Sequence, residues 1–282
     1  NRAILALDHH GTGPVHINLS TRYSKDFSVQ EIPEAHKIER VKNTDAFPEI
    51  KKGRVAIYVG SHVRWSEVET QYVDAFCEAY DAIVLVEPTS NYNGKYRVPY
   101  MVVAEQLVGK PSICLDLLIH IGEMSDNCSI AGTPKEVWRV SEDGKLVDRY
   151  RKLSKVFEMS EIEFFKHYAL HEEKNAANFY DEAIAECRQL WNEIPELPFS
   201  QIWLASQMYD KFPTNCTIHF GILSPLRSWS YFPMNKNIEM YCNQGGFGID
   251  GNMSTMIGAS QINKEKIYYA VVGDLSFFYD LN

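Results

Sequence analysis

Residues 267–274 read Ile-Tyr-Tyr-Ala-Val-Val-Gly-Asp, and this stretch decides the class of fold. Its apolar run predicts a buried parallel strand, because the run is long enough for a strand and too short for a helix. Gly273 and Asp274 follow at the carboxyl end of that strand. Ligands of open α/β sheets bind at this edge, beside the N-termini of the following helices. The stretch therefore predicts an α/β fold with a ligand site here.

Asp274 has two interpretations at this point. Its carboxylate is a hard oxygen ligand of the kind that Mg²⁺ prefers, with substrate phosphates completing the coordination shell. The missing side chain at Gly273 would let a ligand approach the backbone closely. An Asp in this place also commonly caps the N-terminus of a helix. These residues alone leave both roles open.

A glycine-rich loop lies upstream of the strand. Residues 243–251, the glycine loop, read Asn-Gln-Gly-Gly-Phe-Gly-Ile-Asp-Gly and contain four glycines. Residues 253–259 then begin an apolar helix of small side chains. Such a loop allows a ligand to approach the backbone, although a simple reversal of the chain has the same composition.

Strands and helices alternate in the middle of the chain. Apolar runs predict strands at 54–60, 82–86, 117–122 and 136–140, and a capping box at 66–69 predicts the start of a helix. This alternation implies right-handed crossovers and a parallel sheet covered on both faces. No Gly-x-Gly-x-x-Gly follows a strand, so we expect this unit to be structural rather than nucleotide-binding.

The composition argues against some classes of partner. The 282 residues include 28 basic and 37 acidic side chains, which give a formal net charge of -9. This charge disfavours nucleic acid or an anionic membrane surface as the main partner. No apolar run reaches the roughly 20 residues that span a bilayer. The six cysteines form no Cys-x-x-Cys pair, which favours reduced thiols in a cytoplasmic protein.

Four motifs resemble the cofactor-binding domain of thiamine-diphosphate-dependent enzymes. They are Gly248-Ile249-Asp250-Gly251, Ser254-Thr255, Gly273-Asp274-Leu275-Ser276 and Asp280-Leu281-Asn282. Within that superfamily they are most similar to the menaquinone-pathway 2-succinyl-5-enolpyruvyl-6-hydroxy-3-cyclohexene-1-carboxylate synthases. Leu275 is informative, because most thiamine-diphosphate enzymes have Gly in its place.

The other end of the chain resembles the same superfamily. Gly13-Pro14-Val15-His16-Ile17-Asn18-Leu19 is similar to the strand that closes its pyrimidine-binding domain. His16 alternates with apolar neighbours, which favours a structural role, and His9 and His10 have no other ligand type at metal-binding spacing. The resulting division is a terminal strand of a pyrimidine-binding domain at 1–22, a linker at 23–50, a central α/β domain of dinucleotide-fold topology at 51–195, and the first part of a diphosphate-binding α/β domain at 196–282.

The resemblance implies a cofactor, thiamine diphosphate, and a metal ion, Mg²⁺ or Mn²⁺. It implies that Ile249 lies under the bend of the cofactor and that Asp274 holds the metal against the diphosphate. Gly273, Leu275 and Ser276 complete the implied cofactor site. The implied reaction is the decarboxylation of a 2-oxo acid with transfer of the resulting carbanion to an acceptor, which makes the enzyme a transferase.

Three further residues are implied to contact the substrate: Ser224, Arg227 and Gln244. An Arg fork suits bidentate recognition of a carboxylate, although Arg227 also fits a surface arginine beside Trp229. Ser224 and Arg227 lie one residue closer together than in the family. Gln244 stands where the family has Arg, which removes one carboxylate-binding charge. An acetolactate-synthase-like enzyme or a simple 2-oxo acid decarboxylase is therefore an alternative.

The resemblance also implies residues that this sequence does not contain. In the superfamily, the glutamate that activates the cofactor precedes the region matched here, and a second metal-binding Asn follows the Gly-Asp motif. We therefore expect these 282 residues to be an inactive part of a longer enzyme that is a homodimer or homotetramer. The catalytic residue is unknown from this sequence. A non-catalytic module that binds a nucleotide or a partner protein is the alternative from another class.

Overall fold

The computed structural model describes an α/β protein with two parallel sheets. It describes residues 2–7, 9–23, 25–26, 28, 31, 36–106, 113–124, 132–169, 178–244, 246 and 248–280. The strands are β1 (Glu39–Lys42), β2 (Val55–Val59), β3 (Ile83–Val86), β4 (Arg97–Val98), β5 (Leu117–Ile121), β6 (Glu136–Val140), β7 (Leu153–Glu158), β8 (Cys216–Phe220), β9 (Glu239–Cys242) and β10 (Ile267–Val271). The helices are α1 (Arg2–Leu7), α2 (Glu67–Tyr80), α3 (Met101–Gln106), α4 (Glu161–Tyr168), α5 (Phe179–Asn192), α6 (Gln201–Met208), α7 (Ser224–Ser230), α8 (Asn252–Ser260) and α9 (Asp274–Tyr279), with a 3-10 turn at Pro88–Ser90.

The larger sheet has seven parallel strands in the order β1-β7-β6-β5-β2-β3-β4. Every side chain of β2, β3 and β5 is buried. The reason is that α3 and α5 pack on one face while α2 and α4 pack on the other. The four strands predicted in this region form as β2, β3, β5 and β6. The predicted α/β class, with a central parallel sheet, is confirmed.

Helix α2 begins at the predicted capping box. Ser66 Oγ accepts a hydrogen bond from the Glu69 N–H at 3.2 Å, and the Glu69 carboxylate accepts one from the Ser66 N–H at 2.8 Å. The helical spacing of Val68, Tyr72, Phe76 and Ala79 predicts that they share one buried face, but Val68 is 51% exposed, whereas Val73 is fully buried. Five residues of helix separate the two, which places them about 140° apart around the axis.

The central sheet extends beyond the strands that the sequence predicts. The linker predicted at 23–50 is too long, because β1 lies within it and pairs with β7. Ile38 and Val41 are buried there. Only one of the four side chains of β1 is buried, so its sequence carries a weak strand signal. β7 mixes buried and half-buried side chains and was not predicted either.

The strand predicted at 13–19 does not form in this structure. Those residues have no regular secondary structure and are exposed. A strand needs a neighbour to pair its backbone N–H and C=O groups, and no described strand lies beside this segment. The preceding residues contact the central domain instead. The Arg40 guanidinium donates to the carbonyl of Leu5 in α1 at 3.0 Å, and His9, which follows α1, contacts the Asp143 carbonyl at 2.7 Å. The assignment of residues 1–22 to a pyrimidine-binding domain stays a prediction.

The strand order of the central sheet reverses between β2 and β5, where doubly wound sheets bind nucleotides. Here the segments that follow β2 and β5 are hydrogen-bonded to each other. Ser61 donates to the Glu123 carbonyl at 2.6 Å, and Glu123 donates back to the Ser61 carbonyl at 3.1 Å. A Cβ at Gly60 would lie 2.2 Å from the Glu123 carbonyl oxygen. Among residues 60–62 and 122–124 the crevice is therefore closed, which agrees with a structural role.

The smaller sheet has three parallel strands in the order β10-β8-β9. β10 forms at the strand predicted from residue 267 onward, but none of its side chains is buried, so the expectation of a buried strand is wrong. β8 forms at the apolar alternation Thr-Ile-His-Phe-Gly of residues 217–221, which also predicts a strand, while β9 was not predicted. Ile218 and Phe220 of β8 pack with Trp229 in the core of this unit. Each strand is followed in the chain by a helix, so the starts of α7, α8 and α9 lie near the carboxyl edge of one sheet.

Two expectations drawn from the composition concern membrane-spanning segments and cysteines. None of the helices in the described ranges is long and apolar enough to cross a membrane. Five cysteines are free thiols, and Cys128 lies outside the described residues. The five are Cys77, Cys114, Cys187, Cys216 and Cys242.

Candidate functional site

The carboxyl ends of β8 and β10 meet at a cleft of about 190 Å³. The two strands are held together beyond their last residues, because the Gly221 N–H donates to the Val271 carbonyl at 2.8 Å. Six of the predicted site residues line this cleft: Ser224, Ile249, Gly273, Asp274, Leu275 and Ser276. The remaining lining residues are Gln201, Gly221, Ile222, Leu223, Pro225 and Asn252.

Asp274 is the first residue of α9, and Gly273 holds the capping position before it. The cap makes no side-chain hydrogen bond, so the interpretation of Asp274 as an N-cap does not describe this helix. The Asp274 carboxylate is exposed and has no hydrogen bond or ion pair with any residue in the described part of the chain. Its oxygens are therefore available to a ligand in the cleft.

Gly273 borders open space. A Cβ built at Gly273 meets no atom within 4 Å. Its φ of -74° and ψ of 160° are also open to any residue. Neither the backbone nor the packing of the described residues requires glycine here, and a side chain would occupy part of the cleft. This is the arrangement expected where a ligand, rather than the protein, needs the space.

Ile249 is fixed in the cleft by two neighbours. The Asn252 amide donates to the Ile249 carbonyl and to Ser276 Oγ, both at 2.9 Å, and Ser276 Oγ donates to the same carbonyl at 2.5 Å. Asn252 is only 3% exposed, and its Oδ1 has no hydrogen-bond partner among the described residues. Sequence reasoning missed Asn252, because its role depends on the contact between the glycine loop and α9.

Asp280 ties the start of α8 to the end of α9. Its carboxylate accepts hydrogen bonds from the N–H groups of Gly251 at 2.8 Å and Met253 at 2.6 Å, and from Ser254 Oγ at 3.1 Å. Partial desolvation raises the pKa of Asp280, but these hydrogen bonds outweigh it and the pKa lies below its usual value. Gly251, in the left-handed region at φ 79°, has no side chain to cap α8, so Asp280 supplies the cap.

Leu223 occupies a strained position beside Ser224. Its φ of 70° and ψ of -122° lie outside the regions open to residues with a side chain. Strain of this kind is concentrated at functional sites. Leu223 lines the cleft between β8 and α7 but carries no sequence signal of its own.

The structure does not bring Arg227 and Gln244 to the walls of the cleft. Arg227 lies one turn along α7 from Ser224, near Tyr231, whose pKa is raised by burial and by Glu105 and lowered by Arg227. Gln244 follows β9, and both polar atoms of its amide are buried without a hydrogen-bond partner in the described ranges.

Several residues of the motifs lie outside the described part of the chain. They are Gly245 and Phe247 of the glycine loop and Leu281 and Asn282 of the terminal motif. Within the described part, no group of three or more His, Cys, Asp or Glu side chains could hold a metal ion.

The relatives found by comparison with known proteins share one name. No protein-family model matches the chain. The chain is similar over its whole length to proteins named 2-succinyl-5-enolpyruvyl-6-hydroxy-3-cyclohexene-1-carboxylate synthase. The resemblance is confirmed. The Bacteroides fragilis protein is 26% identical over 302 positions, which cover 100% of this chain and 54% of the relative, and that of Bacteroides thetaiotaomicron is 27% identical over 312 positions, covering 100% and 53%.

A shorter match is closer in sequence. The synthase of Christiangramia forsetii is 42% identical over 87 residues, which cover 31% of this chain and 15% of that protein. The chain spans about half the length of the relatives that it matches throughout.

Proposed function

We propose that this chain forms the central domain and part of the cofactor-binding domain of a thiamine-diphosphate- and Mg²⁺-dependent transferase. In this proposal the enzyme decarboxylates a 2-oxo acid and transfers the remaining group to an acceptor in menaquinone biosynthesis. The name of the relatives, a carboxylate synthase, supports a biosynthetic role. One observation carries the proposal. Three separate segments, at 224, 249 and 273–276, meet around one cleft at the carboxyl ends of two parallel strands.

The residues of the cleft fit a metal-bound diphosphate. Asp274 offers a free carboxylate, and Mg²⁺ binds with one or two carboxylates, substrate phosphates and water rather than with a full protein cage. The absence of a larger ligand cluster among the described residues is compatible with this coordination. The open space at Gly273 leaves room for the diphosphate beside the backbone of Leu275 and Ser276.

Thiamine diphosphate, when bound, supplies the nucleophilic carbon for attack on the 2-oxo acid and the electron sink for loss of CO₂. In this proposal the residues of the chain bind the cofactor and its metal and orient them. Asp274 would hold the metal, and Ile249 would give apolar support to the cofactor. Asn252 and Ser276 keep Ile249 in place through their hydrogen bonds to its carbonyl.

Substrate contacts are proposed at Ser224, Arg227 and Gln244. Ser224 is exposed at the cleft and is the best placed of the three. The roles of Arg227 and Gln244 rest on the resemblance alone. We further propose that these 282 residues are inactive by themselves and that the full-length enzyme is a cytoplasmic homodimer or homotetramer.

A smaller 2-oxo acid is the second candidate substrate. Asp274 is the one ionisable side chain among the described residues that line the cleft. A substrate with several carboxylates would lack counter-charges there, and each missing charged hydrogen bond costs about 1.5–3 kcal/mol. Turnover of pyruvate faster than 2-oxoglutarate by the full-length protein would favour this alternative.

Calorimetric titration of the full-length protein with thiamine diphosphate and Mg²⁺ tests the proposal. Wild type is expected to bind. Asp274→Asn should weaken binding about 10- to 150-fold, because a lost charged contact costs about 1.5–3 kcal/mol. Asp210→Asn is the matched control, since Asp210 is an exposed carboxylate in the same unit and pairs only with its neighbour Lys211 among the described residues. No binding by wild type, or equal affinity of the Asp274 variant, would overturn the proposal.

A further inference from the structure

The outer edge of β9 is buried against the central domain. β8 is its neighbour in the small sheet, and Met240 of β9 is 1% exposed. In a parallel strand the N–H and C=O of one residue point to the same side. Those of Met240 point away from β8, toward the central domain. Buried backbone groups of this kind need hydrogen-bond partners.

Asn91 supplies both partners from the central domain. Its Oδ1 accepts a hydrogen bond from the Met240 N–H at 2.9 Å, and its Nδ2 donates to the Met240 carbonyl at 3.0 Å. The same Nδ2 donates to the His62 carbonyl at 2.7 Å. A side-chain amide thus takes the place of the peptide group of a neighbouring strand, and Asn91 is 7% exposed.

The backbone at Asn91 also suits asparagine. The residue follows the turn Pro88–Ser90 and adopts the left-handed conformation at φ 51° and ψ 15°. Asn enters this region more readily than most residues with a side chain. Position 91 therefore requires a residue that tolerates a left-handed backbone and also carries a side-chain donor and acceptor, and few residues meet both requirements.

β9 leads directly into the glycine loop. Asn243, three residues after Met240, donates from its Nδ2 to the Gly251 carbonyl at 3.2 Å and to Thr255 Oγ1 at 3.0 Å. Gly251 starts α8, beside Ile249 and Asn252 in the wall of the cleft. Short contacts therefore connect Asn91 to the cleft through Met240 and Asn243.

We propose that Asn91 is a positioning residue for the cofactor site. By completing the edge of β9, it holds Asn243 and the start of α8 in the geometry that the cleft requires. The central domain then contributes to cofactor binding without contacting the cofactor. The choice of thiamine diphosphate as the ligand rests on the proposed function, whereas the link from Asn91 to α8 does not.

A second contact crosses the same boundary and provides a control. Arg64 pairs with Glu239 at 3.3 Å, but the Arg64 side chain is 45% exposed and Glu239 is also paired with Lys266. Exposed ion pairs contribute little, because solvent screens them. Arg64→Ala therefore removes a contact between the same two units without disturbing the amide of Asn91.

Hydrogen exchange in the full-length protein without ligand tests the link. Asn91→Gly keeps the left-handed backbone and removes the amide, so exchange at Met240, Gly251 and Met253 should become roughly tenfold faster or more. Exchange in β10 should change less than threefold, and Arg64→Ala should leave all these sites within threefold of wild type. Unchanged exchange at Met240 and Gly251 in Asn91→Gly would overturn the link.

Cofactor titration then tests the positioning role. Asn91→Gly should weaken binding of thiamine diphosphate and Mg²⁺ roughly tenfold. Val73→Ala, a cavity variant in the core of the central domain, controls for lost stability and should bind as wild type does. Equal weakening in both variants, or none in Asn91→Gly, would overturn the positioning role. Should the glycine variant fail to fold, Asn91→Asp is the second variant. It removes the Nδ2 donor and keeps an acceptor oxygen, and it should change exchange and cofactor affinity by similar factors. Failure of wild type to bind would count against the proposed function, and the exchange experiment would still decide the link.

Discussion

Gly273→Ala should separate folding from cofactor binding. The new Cβ meets no atom within 4 Å, and the backbone at φ -74° and ψ 160° suits alanine. Restricting the unfolded chain stabilises by about 0.4–1 kcal/mol, and the weaker N-cap preference of alanine offsets part of it. The free energy of unfolding should therefore stay within about 1 kcal/mol of wild type.

Cofactor binding should respond differently, because the methyl group enters the cleft. Overfilling a packed site costs about 1–3 kcal/mol, so the dissociation constant should rise about 5- to 150-fold. The assay pairs thermal unfolding with calorimetric titration of thiamine diphosphate and Mg²⁺ in the full-length protein.

Gly258→Ala is the matched control for this prediction. Its Cβ also meets nothing within 4 Å, but Gly258 lies within α8 and outside the lining of the cleft. The variant should gain about 0.5–1 kcal/mol of stability and bind normally. A Gly273→Ala protein that binds as tightly as wild type, or that unfolds much earlier, would refute the reasoning.

Three further predictions concern the wider fold. Gly60→Ala should destabilise the protein by about 3 kcal/mol in urea unfolding, because its Cβ would force apart three backbone hydrogen bonds, at about 1 kcal/mol each, between residues 60–61 after β2 and residues 121–123 at the end of β5; a loss below about 1 kcal/mol would mean that the switch point can open. Asp280→Asn should speed amide exchange at Gly251 and Met253, since a single amide oxygen cannot accept all three bonds; unchanged exchange would contradict the capping role. Burial, with the charge of Arg139, lowers the pKa of His120 to about 3. The unfolded chain binds the extra proton first, so this contribution to stability is complete above about pH 6.5 and is lost as the pH falls toward 3. His120→Gln should therefore lose less free energy of unfolding than wild type between pH 7 and pH 4.5. An equal loss in the two proteins would contradict the role of His120.

Apolar runs in the sequence located most of the strands, including β10, although none of the side chains of β10 is buried. β2, β3 and β5 are buried on both faces, so their sequences are continuous apolar runs that can be read without the rest of the fold. β1 and β9 are edge strands with few buried side chains, and their short sequences show no such run. The segment at 13–19 has the right alternation but no described neighbour to pair with.

The candidate site could be predicted only for the residues that belong to a recognisable motif in one segment of the chain. Gly273, Asp274 and Ile249 stand in local motifs, and the strand ends bring them together. Asn252 and Asp280 act through contacts between α8 and α9, which no local pattern reveals. Arg227 lies one helical turn, about 4.5 Å, further along α7 than Ser224, and that displacement depends on where the helix begins.

A crystal structure of the full-length protein grown with thiamine diphosphate and Mn²⁺ tests the central claim most directly, because the anomalous signal of Mn²⁺ locates the metal. The account predicts one strong peak in the cleft between the ends of β8 and β10, at about 2.0–2.3 Å from a carboxylate oxygen of Asp274. A cofactor-bound metal elsewhere, with Asp274 free of it, would contradict the account.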